Sequence, residues 1–332
     1  MVKQADREAD IFTRQFESIH FHVARDEARW MERYAEPERS AQAVIDFGCG
    51  VQFVPHLMIE TMAVCEGLGI DAVGVVGPQF CCGQPYRGNG DGRDGSGDNM
   101  ADNSFKRMAS LKPLQMVQWC GAAQVQFGKR AESQADPTEV LHQTALLARR
   151  VEELGDAAPW KQRVEARVLV HRKSQDPMPF PDRGPVMRSY DLIPAMLDRI
   201  PGVTVVGEIR DLPSTLPCEA KVDKLDAAAF RVARDELAAK AREAGADRIV
   251  VEHHQCVREW GKLATETLPV QHYMSVLAEA LGVAQPDRFH KNWSAPSDAV
   301  ARAKPQWSTW GMGEAEAAEI AARLYPARRG SA

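Results

Sequence analysis

The chain has 332 residues, 44% of them hydrophobic and 26% charged, with a net charge of −5. That length accommodates two domains of ordinary size, and the mild acidity gives no reason to expect nucleic acid or an anionic membrane as a partner. No stretch approaches the roughly 20 apolar residues of a membrane span. Residues 1–18 are charged and lack an apolar signal core, so the expected compartment is the cytoplasm.

In chain order, residues 1–39 make an N-terminal extension. Ile11, Phe12, Phe16, Ile19, Val23, Trp30, Met31 and Tyr34 recur among Asp, Glu and Arg, which predicts an amphipathic helix or helix pair over 5–37. A first half, 40–160, opens with Ala43-Val44-Ile45, a strand that runs into Asp46-Phe47-Gly48-Cys49. Helical periodicity follows over 55–68 and stops at Gly69. Residues 73–76 form the next predicted strand, feeding Pro78-Gln79-Phe80-Cys81-Cys82-Gly83. A Gly/Asp/Asn-rich loop, 87–104, precedes a predicted helix at 105–110, and a third strand at 116–119 ends on Cys120.

A second half, 161–285, repeats this order, which indicates an internal duplication. Residues 168–171 parallel 44–47, a helix at 190–199 parallels 55–68, and a strand at 203–206 parallels 73–76. Leu216-Pro217-Cys218-Glu219 stands where Phe80-Cys81-Cys82-Gly83 stood. A helix over 226–244 leads to a strand at 248–251 and to His253-His254-Gln255-Cys256. Pro269-Val270-Gln271-His272-Tyr273 and a helix at 274–281 close the half. Strands alternating with helices predict an α/β fold: two pseudo-symmetric Rossmann-like halves with parallel sheets, whose strand carboxyl ends are where ligands gather. The tail, 286–332, carries Trp293, Trp307 and Trp310 and ends in a helix at 313–324. Both helical extensions lie outside the duplicated core, where they serve either to cover apolar surface of another chain or to cap this one.

The chemistry concentrates in the cysteines, seven in all, which in a chain without an export signal point to metal or redox work rather than disulfide staples. Cys81 and Cys82 are adjacent and cannot readily bridge each other, and long spacers separate them from Cys49 and Cys120. Two thiolates side by side, with two more arriving from distant turns, are what an iron–sulfur cluster needs from its protein. The Cys-Cys-Gly triplet between such spacers resembles the CCG (cysteine-rich) domain of heterodisulfide reductase, a domain also found in the iron–sulfur subunits of glycolate and lactate oxidation systems. The resemblance spans about 40–285 and is specific in the first half. It implies an iron–sulfur cluster, of the [4Fe–4S] type, on Cys49, Cys81, Cys82 and Cys120. It also implies a subunit of a cytoplasmic heterodisulfide reductase-like oxidoreductase complex, engaged in electron transfer or thiol–disulfide (sulfur) chemistry on a small thiol, disulfide or sulfur compound. The chain has no flavin or second-cluster motif, so electrons are expected from a ferredoxin-like or flavin-bearing partner subunit.

The chain also departs from that pattern. The family's fifth cysteine, three after Cys120, is Ala123. In the second half Lys173 or Ser174 replaces the first cysteine, Cys218 alone remains of the pair, and His253 replaces a cysteine while Cys256 keeps its place. These losses keep two other readings open: a non-catalytic scaffold or regulatory paralogue, and a structural or hydrolytic protein with zinc on the same thiolates. Cys218, Glu219, His253 and Cys256 form a mixed set that zinc accepts, a weak second metal site. Cys65 sits mid-helix, off the motif, and reads as a small buried hydrophobe. Gln84, Tyr86 and Arg87 follow the CCG turn closely enough to orient a substrate. His171 and His272 read as structural histidines. The stretch 89–98 has the look of a calcium loop but carries Met100 where a glutamate is needed, so it reads as a connector.

Overall fold

The computed structural model describes residues 4–28, 40–83, 96–172, 189–210, 222 and 225–325. An N-terminal helix, α1 (Gln4–His22), precedes the first half, which runs β1 (Ala43–Asp46), α2 (His56–Gly67), β2 (Ala72–Val75), α3 (Ser96–Ala109), β3 (Gln115–Gln118), α4 (Gly121–Ser133), β4 (Glu139–His142) and α5 (Gln143–Leu154). The second half runs β5 (Ala166–His171), α6 (Ile193–Leu197), β6 (Val203–Ile209), α7 (Ala227–Ala244), β7 (Arg248–Val251), α8 (His254–Trp260), β8 (Val270–His272) and α9 (Tyr273–Ala280). The tail holds α10 (Arg288–Ser294), α11 (Ala299–Arg302), α12 (Lys304–Trp307) and α13 (Glu314–Leu324). Among the described residues no helix is long and apolar enough to cross a membrane.

The strands form two four-stranded sheets, ordered β2-β1-β3-β4 and β6-β5-β7-β8, and every pairing is parallel. This is the duplicated α/β fold that the alternation of strands and helices predicts. Its register corrects the sequence repeat by one residue. Asp46 pairs with Gln118, and His171 pairs with Val251. Gln118 and Val251 each end the third strand of their half, so the counterpart of His171 is Asp46 and not Phe47.

Four elements go beyond the sequence reading. The helix expected at 105–110 begins at Ser96, with Asp98 in its first turn, where an acidic side chain favours the N-terminal dipole. Helix α4 follows Cys120 directly. Strand β4 and helix α5 carry the segment Val140-Leu141-His142, which has the same form as Val270-Gln271-His272 in β8. Both histidines end a strand and cap the next helix: His142 Nδ1 accepts from Thr144 N at 3.3 Å, and His272 Nδ1 from Met274 N at 3.1 Å.

The two faces of the first sheet look onto different layers. Ala43, Ile45, Val117 and Leu141 join a core that continues through the second half. Val44, Val75 and Met116 face a smaller layer closed by Ala101, Phe105, Met108 and Phe127 of α3 and α4. Between the halves α2 packs on α9 and α5 on α6. Polar bonds cross the same seam. The Ser275 hydroxyl donates to Glu60 at 2.6 Å, Gln285 N donates to Glu60 at 3.0 Å, and the hydroxyls of Thr144 and Tyr273 lie 2.9 Å apart.

The extensions cap this chain's own core, the second of the two roles open to them. Ile19, Phe21 and Val23 are buried in one cluster with Trp293, Trp307, Ile320 and Tyr325. Arg288 holds Glu27 through two bonds of 2.7 and 2.8 Å, Trp310 Nε1 donates to Val23 O at 2.8 Å, and the ring of His20 stacks on Trp310 at 4.2 Å. Trp30, Met31 and Tyr34 of the predicted helix pair lie outside the described residues.

Candidate thiol site at the carboxyl edge of the first sheet

Cys49 follows β1, the Cys81-Cys82-Gly83 turn follows β2, and Cys120 follows β3 as the N-cap of α4. Because β1 lies between β2 and β3, the chain leaves β1 toward one side and returns on the other, which opens the crevice where ligands bind in parallel sheets. The three turns are pinned locally. Asp46 Oδ1 accepts from Gly48 N at 2.8 Å, and Gln52 Nε2 donates to Gly48 O at 2.6 Å. Gly48 has φ +60°, a conformation that favours glycine, and a Cβ placed on it would stand 3.7 Å from the Cβ of Cys120. Ser104 of α3 donates its hydroxyl to Cys81 O at 2.9 Å and to Gln79 O at 3.1 Å. Gly83, at φ +73°, turns its N–H back onto Cys81 Sγ at 3.4 Å.

Cys81 and Cys82 are buried, while Cys49 and Cys120 are half-buried. Burial, then the neighbouring Cys120 and Cys82 thiols and the Asp46 carboxyl, push the Cys49 thiol far above its ordinary value. Cys49 is therefore electrostatically coupled to Cys82 and Cys120. Burial also pushes Asp46 up to about 7, against the bond it accepts from Gly48 N.

The polar atoms around these turns find no partner among the described residues. Asp46 Oδ2, Gln52 Oε1, both polar atoms of Gln118, Trp119 Nε1 and Gln124 Oε1 are buried with no hydrogen-bond partner. Each such atom costs about 1–3 kcal/mol relative to a paired one. Among the described residues no three His, Cys, Asp or Glu side chains converge as a ready-made metal-holding group. By residue type and number the edge nonetheless fits the implied cluster: four soft thiol donors, with orphaned polar atoms behind them that an added group would satisfy.

The other sequence candidates fall elsewhere. Ala123 is 2% exposed and packs in the apolar layer with Cys82 and Phe127. Cys65 lies in α2 within the large core, where burial pushes its thiol up to about 12. Cys218, Glu219, Lys173, Ser174, Gln84, Tyr86, Arg87 and most of the 89–98 loop lie outside the described residues. His253 caps α8, accepting from Gln255 N at 3.3 Å. Cys256 is disulfide-bonded. This corrects two expectations: at Cys256 the cysteines do form a staple, and its sulfur is not a thiolate for the weak second metal site. His171 and His272 are buried, and burial drives both down, His171 to about 3 and His272 well below its ordinary value with help from His254. Both stay neutral.

The second half reaches the site with His254, which the sequence reading left open as a solvated strand end and which is buried. The ring of His254, the first residue of α8, lies against Gly50 beside Cys49 and 6.3 Å from the ring of Trp119, which precedes Cys120. Arg258, one turn further along α8, stacks over the Phe53 ring at 4.1 Å. Asp46 and Gln118 were missed, although a polar residue closing an apolar strand just before a cysteine turn was a readable signal.

No protein-family model matches the chain, and no curated protein matches it.

Proposed function

We propose that the first half is a redox-active thiol site that binds an iron–sulfur cluster, in a protein similar to the CCG-domain component of heterodisulfide reductase. The observation that supports this most is the delivery of Cys49, Cys81, Cys82 and Cys120 to one sheet edge, around one switch point. When bound, such a cluster supplies one-electron transfer and iron centres with an affinity for sulfur. The residues then have distinct tasks. The four thiolates hold the group, Ser104 and Gly83 fix the CCG turn, Asp46 and Gln52 fix the Cys49 loop, and the apolar layer under Cys82 keeps water from one side. On a disulfide substrate the reaction consumes two electrons and two protons and yields two thiols, the electrons coming from a ferredoxin-like or flavin-bearing partner.

Ala123, buried among apolar side chains where the family places a fifth cysteine, favours a second reading as a non-catalytic paralogue. Zinc on the same thiolates is the third. One experiment separates them: anaerobic purification with iron and acid-labile sulfide analysis and EPR, on the wild type and on Cys82→Ser and Cys65→Ser. The cluster reading expects a brown protein that loses iron in Cys82→Ser, because a hydroxyl is a poorer ligand for iron, and keeps it in Cys65→Ser. A colourless protein, or iron unchanged without Cys82, refutes it.

A further inference from the structure

Asp46 and Gln118 end the neighbouring strands β1 and β3 and stand opposite each other in register. Lateral neighbours in a sheet share a face. Two residues back on that face, Val44 and Met116 belong to the layer that contains Cys82 and Ala123. Asp46 is 1% exposed and Gln118 is fully buried, yet among the described residues Asp46 Oδ2 and both polar atoms of Gln118 have no partner. A fold gains nothing from carrying such atoms inside unless something else pairs with them.

The second sheet provides an internal comparison. The matching row pairs His171 with Val251, so an apolar side chain occupies the place of Gln118. The half that brings four cysteines to its edge carries a buried amide there, and the half that has lost them carries valine. The amide goes with the cysteines.

We propose that Asp46 and Gln118 form a polar floor of the thiol site, in which Gln118 is a further binding residue, its side-chain N–H donating to an electron-rich sulfur of the group held by the four cysteines, and Asp46 is a positioning residue. Asp46 holds the Gly48 turn with Oδ1 and presents Oδ2 to the same floor. The proposal rests on the cluster reading above and assigns to it two residues outside the cysteine motif.

The test is anaerobic reconstitution with ferrous iron and sulfide of the full chain, as wild type, Gln118→Met and Asp46→Asn. Methionine fills the glutamine's length without its polar atoms, and asparagine keeps an acceptor for Gly48 N–H. Loss of one hydrogen bond to a charged sulfur corresponds to about a ten-fold change in an equilibrium constant. Loaded Gln118→Met should therefore release iron to a chelator about ten-fold faster, with a lowered midpoint potential, since hydrogen bonds to sulfur raise it. Asp46→Asn should shift both readouts from the wild-type values. Without iron, Gln118→Met should melt no lower than the wild type, because an orphaned amide has been removed. A loaded wild type with both variants indistinguishable from it overturns this proposal alone, as does a lower melting temperature of iron-free Gln118→Met. A wild type that takes up neither iron nor sulfide overturns the cluster reading and this proposal with it.

Discussion

The imidazole of His254 occupies the space above Gly50: a Cβ added to Gly50 would overlap its Nε2 and Cδ2. Through this contact a helix of the second half closes over the loop that carries Cys49. The second half meets the first at this seam through shape. The first prediction follows from that contact. Gly50→Ala should destabilise the protein by about 1–3 kcal/mol, the usual cost of overpacking a buried contact. His254→Ala should be destabilising alone, but combined with Gly50→Ala it should cost less than the sum, since the added methyl then enters vacated space. Denaturant melts of the four proteins measure the coupling; strict additivity would mean the two residues do not share that space.

Glu60 sits in the same seam, and burial pushes it up to about 8, against the bonds it accepts from Ser275 and Gln285. Its folded-state value lies above its ordinary value of 4.5, so the folded protein holds a proton that the unfolded chain releases. The stabilisation is complete below pH 4.5 and is lost as pH rises to about 8. Glutamine keeps an acceptor for Gln285 N and can donate to the Ser275 hydroxyl. Glu60→Gln should therefore match the wild type near pH 4.5 and exceed its stability above pH 8, by a few kcal/mol as an order of magnitude. Urea midpoints across that range decide it; parallel curves would show Glu60 ionising without cost.

How far the sequence spoke for itself depended on which signal each element carries. Strand β7 is Arg248-Ile249-Val250-Val251, an apolar run bounded by polar residues, and its ends were readable to the residue. Helix α7 announces itself by Asp226, which accepts from Ala228 N and Ala229 N at 2.9 and 2.8 Å. Strand β4 gave no such signal. Glu139 and His142 flank only two apolar residues, and the strand owes its place to pairing with β3. The repeat of Val140-x-His142 in Val270-x-His272 could have revealed it, since both halves cap a helix with that histidine. Within the site, cysteine spacing marked the thiols. Asp46 and Gln118 carried a readable mark, a polar residue closing an apolar strand before a cysteine turn, but their standing opposite each other depends on register between strands, which spacing along the chain does not encode.

His22 gives the acid side of the stability profile. Burial is the main cause that lowers it to about 4, and its imidazole contacts the Tyr325 hydroxyl, tying α1 to the end of α13. The folded value lies below the ordinary 6.5, so stability is complete above pH 6.5 and is lost as pH falls through about 4. His142, held down to about 4 by burial, acts in the same direction. His22→Gln, which does not titrate, should lower stability at neutral pH but show a shallower decline between pH 6.5 and 4. Thermal melts at half-unit pH steps check this; an unchanged slope would place the acid sensitivity in other groups.

The disulfide at Cys256 allows the two halves to be tested against each other. Cys256 takes the place that Ala123 holds in the first half, three residues after the position matching Cys120, and it is fully buried in α8. If the first sheet edge is the working site, Cys256→Ala removes a cross-link and no ligand. The expected result is a stability loss of about 2–5 kcal/mol, the usual range for a native disulfide, with iron and sulfide per chain equal to the wild type after anaerobic reconstitution. Cys82→Ser should give the opposite pattern, with iron lost and the iron-free protein melting close to the wild type, since the thiol it replaces makes no cross-link. Iron analysis and melting curves on the same preparations compare the two directly. A whole cluster's worth of iron lost from Cys256→Ala, with Cys82→Ser still loaded, would move the redox site to the second half.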